Sequence, residues 1–133
     1  MRKSTKKLLA PLALLTLSAC AIIPDTPRVG QEAAAQGTPV GIGESVWAGD
    51  VILTPTAIRE DSRCPVDATC VWQGKLTVTT RITATHWAQT AQMTLGEPYE
   101  VMGRVFTLTA AMPEKRSEEA IPADAYRFTY ERR

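Results

Sequence analysis

The sequence is poor in the residues that most catalytic chemistry needs. Its 133 residues include one histidine, His86, and three cysteines. A nucleophile–base–orienter triad would have to use that one histidine. Zinc sites draw on clusters of Cys and His. There is no Gly-x-Ser-x-Gly elbow and no glycine loop of the kind that cradles phosphates. No metal and no cofactor is expected on these grounds. The acid pairs Glu60-Asp61 and Glu118-Glu119 are adjacent in sequence. Adjacent side chains of a strand point to opposite faces, so these pairs are poor acid/base couples and read as solvated. The long apolar run, Leu8 to Leu17, falls short of the roughly 18 residues that span a bilayer. No internal repeat and no long helical period is visible.

What is present begins with a leader. Met1 to Lys7 carries Arg2, Lys3, Lys6 and Lys7 with no acid, the apolar run follows, and Ser18-Ala19 are small. That order makes a secretory signal over residues 1–19. Leu17-Ser18-Ala19-Cys20 resembles the lipobox of bacterial lipoproteins. The resemblance implies that Cys20 becomes the first residue of the mature chain, with its thiol diacylglycerol-modified and its amino group acylated. Two or more acyl chains make a stable membrane anchor. In a Gram-negative host, Ala21 in place of Asp implies the outer membrane, facing the periplasm. The other reading of these residues is an ordinary secretory signal with a chance cysteine.

Processing changes the charge. Removing residues 1–19 takes four basic residues and no acid, leaving 11 basic and 14 acidic residues, a net charge of −3. No polybasic segment remains, so nucleic acid is not an expected partner. The lipobox reading also uses up one cysteine, leaving Cys64 and Cys70 as a pair. In the oxidising envelope a disulfide is expected between them. Closing so short a loop is worth about 2–2.5 kcal/mol in the chain-entropy account.

Residues 20–37 read as a tether from the anchor to the domain, with two prolines and two glycines and little apolar periodicity. A flexible chain of that length spans roughly 20–25 Å end to end. From residue 38 to residue 133 the pattern is β. Val40 to Trp47 is a weak first strand and Ala48-Gly49-Asp50 a turn. Val51 to Arg59 is a strand whose Pro55 places it at an edge or at a bulge. Leu76, Val78, Thr80, Ile82 and Ala84 alternate with polar residues over one wet and one apolar face. Ala91, Met93 and Leu95 do the same, as do Phe106, Leu108, Ala110 and Met112, and Tyr126, Phe128 and Tyr130. Pro113 to Pro122 reads as a charged loop with a helical turn after Ser117. Six or seven short strands predict an all-β fold, a small antiparallel β-sandwich of immunoglobulin-like kind, with a small β-barrel as the alternative.

Asp61-Ser62-Arg63-Cys64-Pro65, then Cys70-Val71-Trp72 and Gly74, is similar to a motif of a family of bacterial envelope proteins. Gln73 stands where Ala is common in that motif. The resemblance covers about 14 residues, supports fold and compartment, and implies no reaction. Physically, Pro65 and the cysteines restrain a corner between strands, and Gly74 permits close backbone approach. Trp72 can lie over the disulfide or the core edge. Arg63 can pair with Asp61 or Asp67, or stack on Trp72. Either the corner is only a stapled turn, or Arg63 and Trp72, types favoured in binding hot spots, form a partner-binding site. The sequence therefore points first to a non-enzymatic, lipid-anchored envelope protein that binds another envelope protein or a cell-wall component. A periplasmic hydrolase with a site near His86 is the alternative, and a structural or stress-related lipoprotein without a discrete ligand is a third.

Overall fold

The computed structural model describes residues 33–133. The expected signal, Cys20 and most of the expected tether lie outside them. Seven strands form two antiparallel sheets: β1 (Val46–Ala48), β2 (Val51–Asp61), β3 (Leu76–Thr83) and β4 (Ala88–Thr94) in one, β5 (Pro98–Val101), β6 (Arg104–Met112) and β7 (Arg127–Arg132) in the other. The all-β sandwich is as the alternation predicts. Its connectivity is two successive meanders, because each strand bonds to its neighbour in sequence. That is simpler than the immunoglobulin pattern, in which strands switch between sheets.

The two inner faces meet in one core, with Leu53, Leu76, Ile82 and Met93 from the first sheet and Phe106, Leu108, Phe128 and Tyr130 from the second all fully buried. One polar contact crosses that core. The hydroxyls of Thr80 and Tyr130 lie 2.9 Å apart and are buried. Each satisfies the other, which is the condition for burying a hydroxyl. Burial drives the Tyr130 phenol above its ordinary titration range.

Three register shifts set the facing of the long strands. In β2 the register shifts between Pro55 and Ala57 and again between Ile58 and Glu60. Pro55 therefore sits at a bulge of an interior strand, where its missing N–H is tolerated. In β6 the register shifts between Leu108 and Ala110. The extra residue, Thr109, uses its hydroxyl on the carbonyl of Thr129 at 3.2 Å. This shift corrects the expected facing: Ala111 is buried, while Ala110 and Met112 face solvent. Strict alternation fails after an inserted residue because every later side chain changes face.

The first strand is shorter than expected. A turn at Ile42-Gly43, with Gly43 at φ +83°, separates Val40 from β1. Val40 instead exchanges backbone bonds of 2.9 and 2.8 Å with Phe128 of the other sheet. At the opposite side, Gly96 N–H donates to Leu108 O at 2.8 Å. The sandwich is thus bridged along both sides, part way to the barrel alternative. Residues of the expected tether are bonded to the domain from Ala34 on: Ala34 N–H donates to Ser45 O and Trp47 N–H to Ala34 O. The helical turn expected after Ser117 is a plain turn, and a 3-10 turn comes later, at Ala123–Ala125.

Candidate functional site

The corner is an extension of the β2–β3 hairpin. Beyond the strand ends, Ser62 N–H donates to Lys75 O at 2.8 Å and Cys64 N–H to Gln73 O at 3.0 Å. Cys64 and Cys70 are joined by a disulfide, as expected, with their Cα atoms 5.9 Å apart. Gly74 adopts φ +64°, and a Cβ there would lie 1.7 Å from Ser62 O. Glycine is required where the two backbones pass so closely.

Beneath the hairpin lies a polar cluster centred on Asp61. Arg63 donates to both its carboxylate oxygens, Nε to Oδ1 at 2.8 Å and Nη2 to Oδ2 at 2.9 Å. The fork of the guanidinium matches the carboxylate, which makes this pair strong and directional. Tyr126 Oη donates to Oδ2 at 2.7 Å. Asp61 and Arg63 side chains are 10% and 15% exposed, so the pair is largely shielded from water. Burial raises the Asp61 pKa, but the donors from Arg63 and Tyr126 outweigh it and hold the carboxyl below its ordinary value. Burial, with the bond to Asp61, lifts the Tyr126 phenol to about 12.

The charged loop closes over this cluster. Arg63 Nη2 reaches Pro113 O at 3.3 Å. Lys115 Nζ donates to Asp61 O at 2.7 Å. Val66 N–H donates to Lys115 O at 2.9 Å, and Ser117 N–H to Asp67 Oδ1 at 2.8 Å. The loop and the corner therefore form one body. Between them a cleft of about 370 Å³ is lined by Arg63, Gln73, Lys75, Glu97, Glu114 and Lys115 among others. Its mixed charges suit polar contact, and Cys64 at its wall is already oxidised.

The sequence-derived alternatives for this corner resolve differently. Arg63 takes Asp61 as its partner, while Asp67 serves the loop. Asp61 belongs to no solvated acid pair; it is the acceptor at the centre of the cluster. Trp72 does not cover the disulfide or the core edge: it is 80% exposed, beside the fully exposed Val71. The two expected binding residues are thus split, with Arg63 in the base and Trp72 at the tip. Tyr126 and Lys115 were not legible as members of the site. Tyr126 reads in sequence only as one more inward residue of a strand, and its stacking on Phe128 at 5.6 Å between centroids fits that pattern.

His86 lies at the other end of the molecule. Asp61 pairs with Leu76 at one end of β2, and Ile52 with Thr83 near the other. That separation is roughly 25–30 Å along a strand. His86 shares a shallow cleft of about 230 Å³ with Asp50, Thr85, Trp87 and Arg104. The Asp50 carboxylate is occupied: Arg104 Nη2 binds it at 2.7 Å and Arg132 binds it as well. The bond from Arg104, chief among these influences, holds its pKa below the ordinary value. A carboxylate engaged by two guanidiniums is a poor orienter for an imidazole. Among the described residues, no group of three or more His, Cys, Asp or Glu could hold a metal ion. No known protein family, curated protein or solved structure matches the chain.

Proposed function

We propose that the protein is a non-enzymatic, lipid-anchored module of the cell envelope whose disulfide corner binds another envelope protein or a cell-wall component. The observation that carries this is the exposed tip. Val71 and Trp72 stand in solvent on a hairpin that a disulfide, a bidentate ion pair and a second loop hold in place. A tryptophan costs little conformational entropy to dock and offers a large contact area. Holding it on a rigid corner reduces what binding must spend on ordering. The end of the chain nearest Cys20 supports the same reading. Gln36 accepts from Gly49 N–H at 2.9 Å, beside the β1–β2 turn and at the far end of β2 from the corner. The described segment nearest Cys20 therefore meets the domain at the end opposite the corner.

Two measurements test this. Cys20→Ser should leave the precursor uncut and free of lipid in a cell that processes lipoproteins. A normally processed, membrane-bound mutant would refute the anchor. In-cell crosslinking of the tagged protein should capture one specific partner, and Val71→Ala/Trp72→Ala should lose it at least tenfold. The same double substitution should leave the melting temperature unchanged, since neither side chain touches the core. Capture that survives the substitution would take recognition away from the tip.

A further inference from the structure

A sheet edge is an open row of backbone donors and acceptors, and proteins guard such rows. Among the described residues, three of the four edges are guarded. β1 is covered by Ala34, which bonds to Ser45 and Trp47. β7 is met by Val40 and carries Arg127, Glu131 and Arg132. β5 is four residues long and contains Pro98 and Glu100. β4 is different. Its seven residues, Ala-Gln-Thr-Ala-Gln-Met-Thr, include no charge and no proline, and its register with β3 is unbroken.

The register gives the direction of each backbone group. Ala84 N–H donates to Trp87 O before β4, and Leu95 N–H to Leu76 O after it, both at 2.9 Å. These lie in phase with the Ile82/Gln89, Thr80/Ala91 and Val78/Met93 pairs, which are therefore the hydrogen-bonded ones. Ala88, Thr90, Gln92 and Thr94 then turn their N–H and C=O groups outward, away from β3. Among the described residues one of these groups has a backbone partner, Thr94 C=O, which accepts from Glu97 N–H at 3.0 Å.

We propose that this edge pairs with β4 of a second copy of the chain, antiparallel about Ala91, joining the two four-stranded sheets into one. In that register Thr90 faces Gln92 of the second copy, and Ala88 faces Thr94. The N–H and C=O groups of Thr90 and Gln92 then all find complementary ones, and Thr94 N–H meets Ala88 C=O, while Thr94 C=O keeps its turn bond from Glu97 N–H. The facing side chains are neutral or hydrogen-bonding, so no like charges meet. Ala91 meets itself on the two-fold axis, at a non-hydrogen-bonded position where strands approach within about 4.5 Å and a small side chain is needed. The proposal uses neither the corner nor the lipid and stands apart from the function proposed above.

The test uses the full chain in detergent micelles. Sedimentation equilibrium should give a concentration-dependent dimer. Thr90→Lys/Gln92→Lys sets lysine opposite lysine in both central pairs and should weaken self-association roughly tenfold or more. Gln92→Pro, which removes an outward N–H together with the exposed bond from Thr79 Oγ1 to Gln92 Oε1, should weaken it too, with the near-ultraviolet circular dichroism of both variants unchanged. In the unsubstituted protein, the Thr90 and Gln92 amides should gain hydrogen-exchange protection as concentration rises. A monomer at every concentration, or a dimer that ignores both variants, would overturn the proposal. So would protection of these amides that is independent of concentration.

Discussion

Asp61→Ala should cost this domain roughly 2–4 kcal/mol, a large part of the stability of a fold of this size. The carboxylate accepts from Arg63 twice and from Tyr126 once. Removing it leaves a shielded guanidinium without a counter-charge and a buried phenol without an acceptor. Such a loss exceeds the net worth of the pair itself, because the desolvation already suffered is no longer offset. Urea unfolding of the variant beside the natural protein measures it, and a change below about 1 kcal/mol would show that water replaces the carboxylate freely. The pH dependence has the same origin. A carboxyl held below its ordinary pKa stabilises the fold above the unfolded value near 4, and this is lost as pH falls through the folded value. Tyr126, raised to about 12, stabilises below the unfolded value near 10, and that part is lost as pH climbs from about 10 to 12. The Asp61→Ala variant should show weaker dependence at both extremes.

Gly74→Ala should be comparably damaging, for a different reason. The new Cβ would lie 1.7 Å from Ser62 O and 2.5 Å from Ser62 C, both backbone atoms that cannot rotate away. A non-glycine residue in the left-handed region costs about 1–2 kcal/mol before any clash. Forcing the hairpin arms apart adds about 1–3 kcal/mol and disturbs the bonds that hold the disulfide. Gly96→Ala is the control. Gly96 has φ +82°, but nothing lies within 4 Å of its Cβ position. It should lose only the conformational part. Equal losses at the two glycines would mean that backbone conformation alone decides, and that the close approach to Ser62 is relieved by a small shift.

The strands were legible because period-two alternation is a local signal. Leu76, Val78, Thr80 and Ile82 point inward as their spacing demands. The failures have local causes too. Nothing in Thr109 or its neighbours announces an inserted residue, so alternation alone puts Ala110 and Met112 on the wrong face. Local pattern joins Val40 to β1 because its true partner, Phe128, is 88 positions away. The site was half legible. The cysteines, Pro65 and Gly74 declared a corner. The contacts that hold it, Tyr126 and Lys115 on Asp61, join residues more than fifty positions apart and carry no motif.

The order of the strands has a consequence for how the chain assembles. Each sheet is a continuous piece of sequence, Val46–Thr94 and Pro98–Arg132, with short connections inside it except at the disulfide corner and the charged loop. Hairpins of this kind close with small loss of chain entropy, so each half can zip on its own before the halves meet. What must form late is the seam: the Thr80–Tyr130 contact, the Val40–Phe128 bridge and the bonds from the charged loop to Asp61. The corner is hinged on one half and clamped by the other. Its tip is therefore presented only when the chain has finished folding, and exposure of a fixed Trp72 amounts to a report that both halves have docked.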